Sequence, residues 1–247
     1  LLGLRAGFGS FEAEREASFF TTGGLAAVHS AGRDRNSIWE GLTNKETYGT
    51  SGDRILLWFD LIQNDSIFPM GSTTSLNKNP VFRVKAVGAF EQKPGCPDYS
   101  STNITEEEIS RICKNECYNP SDKRKNISRI EVVKITPQIN PNEPVETLIS
   151  DVWKSFECSP SQQGCEFEFI DEDYEKESRD SIYYVRAIQE ASPVINAGNL
   201  RCTYNDAGEC IKVNICYGDS RTDKDDDCLT LSEERAWSSP IYVNYKI

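Results

Sequence analysis

Nine cysteines set the first constraint on this chain: Cys96, Cys113, Cys117, Cys158, Cys165, Cys202, Cys210, Cys216 and Cys228. None precedes Cys96, and they cluster locally. A structural zinc site needs four nitrogen or sulfur ligands, usually drawn from closely spaced cysteine pairs. Here the only close pair is Cys113 and Cys117, and the one histidine, His29, is far away in sequence. Disulfides ask only for an oxidising compartment and short loops to close. They are the reading adopted, with a metal site and free thiols as the alternatives. Cys158 and Cys165 flank SPSQQG, a turn-rich loop that a bridge would close readily. Cys202, Cys210, Cys216 and Cys228 sit in a Gly- and Asp-rich stretch with little apolar content, where bridges would do what a core cannot. Nine is odd, so one thiol stays free or pairs outside the chain, and the connectivity is open.

The 247 residues are 38% hydrophobic and 27% charged, a balance that suits folded rather than disordered chains. The net charge is −12, and the only basic run is Lys123 to Lys125. A nucleic acid partner needs a basic stripe, so that class is excluded. No apolar stretch reaches bilayer-spanning length. The opening LLGLRAGFGSFEAEREASFF has neither the charge pattern nor the cleavage site of a signal peptide, and no initiator Met. It is expected to be a fragment or a processed product.

Hydrophobic spacing predicts a strand at 24–29 (GLAAVH) and a helix at 36–46, with Ile38, Trp39 and Leu42 on one face and Asp34 or Asn36 as its cap. TYGTSGD then breaks the pattern. Strands are predicted at 54–62, 81–87, 127–135, 166–170, 181–189 and 240–245. Thr105 and Glu108 form a capping box that opens a short helix. From residue 54 onward strand follows strand, which predicts an antiparallel, sandwich-like domain. The connections at 63–79, 88–104 and 190–232 exceed usual loop lengths, so they are functional or bridged.

His29 is the first candidate site residue. A strand, a turn and a helix with polar residues at the strand's end is the layout of an α/β-barrel rim. Arg33 and Arg35 follow at once, and a guanidinium fits phosphate or sulfate with two hydrogen bonds. The bland alternative makes His29 a partner for a loop carbonyl and the arginines surface charges. Asp171, Glu172 and Asp173, and the run Asp223 to Asp227, could bind calcium. The second run lacks the Gly and the bidentate Glu of a calcium loop, so solvated loops are expected. Asn103 and Asn126 begin glycosylation sequons. Serine-nucleophile, P-loop and dinucleotide motifs are absent.

The stretch GGLAAVHSAGRDRNSIWEGLTNKETYGTSGDRI resembles the bacterial family catalogued as domain of unknown function 3604. The likeness continues in FPMGS, KPGCPDY, RIEVVKI, DSIYYVRAIQEASP and EERAWSSPIYV. Full-length members are similar to the polymerase-and-histidinol-phosphatase (PHP) group of metal-dependent hydrolases. That group holds two or three metal ions with several His, Asp and Glu residues. The resemblance therefore implies an α+β, mostly β chain. Residues 1–52 would be the last strand and helix of an incomplete PHP-like barrel, and 53–247 a disulfide-stapled accessory domain. One histidine cannot supply the metal motifs, so the chain is expected to be catalytically silent alone. It would be a C-terminal part of an exported phosphoesterase-like hydrolase that uses zinc, manganese or iron. Its expected partners are the missing N-terminal barrel and a small anionic substrate. His29, Arg33 and Arg35 would orient substrate or lie near the metal in the intact protein. The alternative is a non-enzymatic β module that binds a ligand or partner through the loops 88–104 and 190–232. Cysteine usage and the resemblance both place the chain outside the cytoplasm.

Overall fold

A computed structural model describes residues 23–64, 66–102, 104–113, 117–195, 201–214 and 229–246. The chain runs through β1 (Leu25–Val28), α1 (Arg35–Thr43), β2 (Thr47–Thr50), β3 (Leu56–Gln63), β4 (Ser66–Pro69), β5 (Thr73–Leu76), β6 (Val81–Val87) and β7 (Phe90–Gln92). There follow α2 (Glu106–Cys113), β8 (Pro120–Arg124), β9 (Ile127–Ile135), β10 (Ile149–Glu157), β11 (Cys165–Ile170), α3 (Tyr174–Glu177) and β12 (Ser181–Gln189). The last elements are β13 (Ser192–Ile195), β14 (Arg201–Tyr204), β15 (Cys210–Asn214), β16 (Leu229–Ser232), β17 (Arg235–Ser238) and β18 (Ile241–Tyr245). Two compact units result. The larger takes the described residues of 24–90, 123–190 and 234–246, and the smaller takes Gly23 and the described residues of 91–122 and 191–233.

The larger unit holds two sheets. One has eight strands: β1, β2, β17, β12, β18 and β5 in that order, with β9 on the other side of β12 and β10 beyond it. Its pairings are antiparallel except β18 with β5. The other is antiparallel, ordered β11-β6-β3-β4. Side chains alternate across each strand, so every second residue faces inward. Leu57, Phe59 and Leu61 on β3 and Phe82, Val84 and Ala86 on β6 are fully buried, and so are Ile130, Val132, Tyr183, Val185, Ala187, Ala236, Ile241 and Val243 from the larger sheet. Aromatic rings bridge the layers: Phe82 lies 4.6 Å from Tyr183 and 5.2 Å from Phe169, centroid to centroid. The antiparallel, mostly β character read from the sequence is thus present.

The structure differs locally from the pattern read in the sequence. TYGTSGD does not simply break the pattern, because Thr47–Thr50 is β2 and pairs with β1 and β17. Gly49 masks the alternation there, since it lies opposite Trp237 and has no side chain of its own. The 63–79 connection carries β4 and β5 rather than a loop. The expected helix face of Ile38, Trp39 and Leu42 is not covered, and these side chains are 36%, 69% and 49% exposed. In α1 the buried residue is Gly41 instead. The boundary expected at residue 52/53 falls in the turn between β2 and β3, and β1 and β2 extend the eight-stranded sheet.

The smaller unit is held differently. Ile109, on the inner side of α2, is the one buried apolar side chain among its described residues. The capping box forms as read: Glu108 N donates to Thr105 Oγ1 at 3.2 Å and Thr105 N to Glu108 Oε2 at 3.2 Å. Disulfides Cys96–Cys117 and Cys202–Cys210 staple this unit, the second closing the β14–β15 ladder. Cys117 pairs with Cys96 rather than with its close neighbour Cys113. Three disulfides of this kind fit an oxidising, extracytoplasmic compartment. Cys216 and Cys228, the acidic run Asp223 to Asp227, and Asn103 lie outside the described residues, as does the Cys113 side chain.

The third disulfide, Cys158–Cys165, joins the end of β10 to the start of β11 across seven residues of sequence. In the turn it closes, Gly164 has φ +87°, and a Cβ there would meet the Ala86 carbonyl oxygen at 2.1 Å. Replacing both cysteines by serine frees a short loop in the unfolded chain, and a loss of about 2–3 kcal/mol is expected. Urea unfolding under non-reducing conditions measures it. An unchanged midpoint would show that the bridge contributes nothing.

Candidate functional site

His29 follows β1 directly. Its backbone N–H donates to Glu46 O at 2.8 Å, and its ring packs beside Tyr48 and Trp58, with centroids 5.4 and 5.8 Å away. Nε2 lies 2.8 Å from the Leu57 carbonyl oxygen. A carbonyl can only accept, so Nε2 is the donor in this hydrogen bond. The helix approaches this point closely: a Cβ on Gly41 would sit 2.4 Å from the His29 carbonyl oxygen. His29 therefore ties the β1–α1 segment to β3.

The outward face of the four-stranded sheet continues from the ring. Trp58 and Asp60 point outward between the buried Leu57, Phe59 and Leu61. Asp60 pairs with Arg83 and Arg83 with Glu168 across β3, β6 and β11. Arg83 donates from Nε at 2.9 Å and from an Nη at 2.7 Å to one Glu168 oxygen. That hydrogen bond, more than any other influence, holds the guanidinium pKa above its ordinary value. Burial raises the Asp60 pKa, and the charges of Arg83 and His29 offset this only in part.

Arg33 and Arg35 do not join this group. Arg33 lies in the turn before α1 and Arg35 is the first helical residue, and both are exposed. Asp34 between them is the N-cap, its Oδ1 accepting from Asn36 N at 3.0 Å and Ser37 N at 3.1 Å. Among the described residues no hydrogen bond or ion pair links either arginine to His29. The fit to a divalent ion is poor as well. His29 spends Nε2 on a backbone carbonyl, and no three His, Cys, Asp or Glu side chains come together as ligands among the described residues. At the sequon of Asn126, Nδ2 donates to Glu190 Oε2 at 3.0 Å, so the nitrogen a glycan would need is already engaged.

A second cluster lies in the core and was not read from the sequence. Lys134 Nζ is 2.7 Å from Asp171 Oδ2 and 2.6 Å from Glu177 Oε2. The Tyr183 hydroxyl donates to the same Asp171 Oδ2 at 2.6 Å, and Asp173 N donates to Oδ1 at 3.2 Å. The Lys134 side chain is 6% exposed and that of Asp171 1%, so Asp171 is not part of a solvated loop. The Trp153 ring lies 5.6 Å from the ammonium. Burial pulls the Lys134 pKa down, but the hydrogen bonds of Asp171 and Glu177 outweigh it and the net shift is upward. Burial, reinforced by Asp171, pushes the Tyr183 phenol far up, so it stays a proton donor. The signal was present: Ile130, Val132 and Lys134 share one face at period two, as do Phe167, Phe169 and Asp171.

The Asp60 shift has a definite sign. A carboxyl whose folded pKa is raised binds its proton more tightly in the folded state, so its contribution to stability falls as pH rises from the ordinary aspartate range through the folded value. Asp60→Asn removes that loss. The stability of the variant minus that of the native chain should therefore be more positive at pH 7 than at pH 3, measured by denaturant unfolding. A difference independent of pH would overturn the assignment.

Comparison with known proteins yields no match among curated proteins and none among solved structures. The family model described as "Protein of unknown function (DUF3604)" matches residues 6–60, the stretch that carries β1, α1, β2 and the residues His29, Arg33 and Arg35.

Proposed function

We propose that this chain is a disulfide-stapled β module that turns over no substrate by itself, serving a metal-dependent hydrolase of the PHP-like kind. The observation that carries the first half is the His29 ring. Its Nε2 donates to the Leu57 carbonyl and its ring packs beside Tyr48 and Trp58, which is a tether between segments rather than an acid or base facing a substrate. The second half rests on the resemblance of the 23–55 stretch and on the family match over residues 6–60. In that reading the metal ions and the water they activate belong to the hydrolase part, acting on a phosphoester or related anionic bond. Arg33 and Arg35, exposed beside the N-terminus of α1, are the groups free to meet an anionic substrate or the hydrolase surface.

The uncovered face of α1 favours a partner over a free-standing role. Ile38, Trp39 and Leu42 place three large apolar side chains in solvent on one short helix.

The purified chain, incubated with generic phosphoesters and added zinc or manganese, is expected to show no turnover above the buffer blank. His29→Ala should lower stability by about 1–2 kcal/mol through the lost hydrogen bond. Turnover by the native chain that disappears in His29→Ala would overturn the proposal.

A further inference from the structure

We propose that Lys134 and Asp171 become joined by an intramolecular amide bond, formed without any other enzyme and with Glu177 as the proton carrier, which covalently ties the two sheets of the larger unit. Lys134 lies on β9 of the eight-stranded sheet, and Asp171 directly follows β11 of the four-stranded one. One amine and one carboxyl meet at 2.7 Å in a core that holds both in place. Groups fixed in this way react as if at effective concentrations on the order of 10⁵ M or more. Both are almost fully shielded from water, so the water released by condensation is not available in bulk to reverse it.

The neighbours supply what the step needs. The Glu177 carboxylate, 2.6 Å from Nζ, can take a proton from the ammonium. Its side chain is 42% exposed, which gives the released water a way out. The hydrogen bonds of Asp171 and Glu177 favour the protonated amine, so moving that proton is the step that must be assisted. Donors sit on both Asp171 oxygens: the Tyr183 hydroxyl on Oδ2 and Asp173 N–H on Oδ1. Such donors stabilise the negative charge that collects on oxygen when nitrogen attacks the carboxyl carbon.

The balance is simple. An ammonium and a carboxylate give one amide and one water. The Nζ–Cγ bond forms and the Cγ–Oδ2 bond breaks. Two of the three ammonium protons leave with Oδ2 as water, passed through Glu177, and the third stays on the amide nitrogen. No oxidant or reductant enters. The product is neutral, so condensation also removes two charges that are costly to keep in a core.

The test is the intact mass of the purified chain, measured after complete reduction and unfolding. The expected mass is lower than that of the sequence by one water, and protease digestion should release a branched peptide containing Lys134 and Asp171. The full mass of the unlinked chain would overturn the proposal. Lys134→Arg keeps the charge and should restore the full mass, and a persistent deficit would show that the bond lies elsewhere. Glu177→Gln keeps an acceptor near Nζ but cannot carry a proton. Its folded state, checked by near-ultraviolet circular dichroism, should accumulate the linked form at least tenfold more slowly. Linkage at the native rate would remove Glu177 from the mechanism.

Discussion

The contact between Phe82 and Tyr183 is where the two sheets of the larger unit depend on each other. Phe82 sits at the centre of the four-stranded sheet and stacks with Phe59 and Phe169, at centroid distances of 5.5 and 5.2 Å. Tyr183 comes from β12, the strand that touches β9, β17 and β18 at once. Its ring belongs to the apolar layer and its hydroxyl to Asp171. Tyr183 therefore takes part both in the aromatic layer between the sheets, with Trp153 and Phe156 alongside it, and in holding the carboxylate that faces Lys134. Aromatic rings of this kind combine large buried area with one polar end that must find a partner.

The β1–α1–β2 segment joins the same architecture through polar contacts rather than through its apolar helix face. The tether runs from His29 to Leu57, the cap from Asp34 to the first turn of α1, and the close approach from Gly41 to the His29 carbonyl. A helix that buries a glycine and exposes a tryptophan turns the usual order around. The exposed face is then available for the partner on which the proposed role of the module rests, while the segment stays attached through its backbone.

Much of the fold was legible because inward and outward residues alternate plainly. RILLWFDLI, VFRVKAV and SIYYVRAIQ announce strands within two residues of their observed bounds. The Cys158–Cys165 bridge was legible because the turn between them leaves few other partners within reach. What stayed hidden was of two kinds. Short strands such as Thr47–Thr50 have too few side chains to show a period, and pairing with β17, far away in sequence, decides them. The buried cluster was hidden because charge was read as a sign of solvent. Asp171, next to Glu172 and Asp173, looks like a solvated acidic run, and only the continuation of the Phe167–Phe169 face carries it inward. For His29 the bland alternative named a loop carbonyl, whereas the observed acceptor is Leu57 O within β3, and the arginines lie apart from it.

The buried charges also bear on how the chain selects one register. A strand shifted by one residue turns every side chain to the opposite face. On β9 such a slip would carry Lys134 out of the core and bring Arg129 and Glu131 toward it, leaving Asp171 buried without a cation. An all-apolar inner face would tolerate the slip more easily, because one β-branched residue can replace another at modest cost. The polar cluster thus penalises the wrong pairing more than it stabilises the right one, since a lone buried charge is far worse than a buried pair. Lys134 is the one charged side chain among the buried residues of β9, and it distinguishes one alignment of that strand from the next.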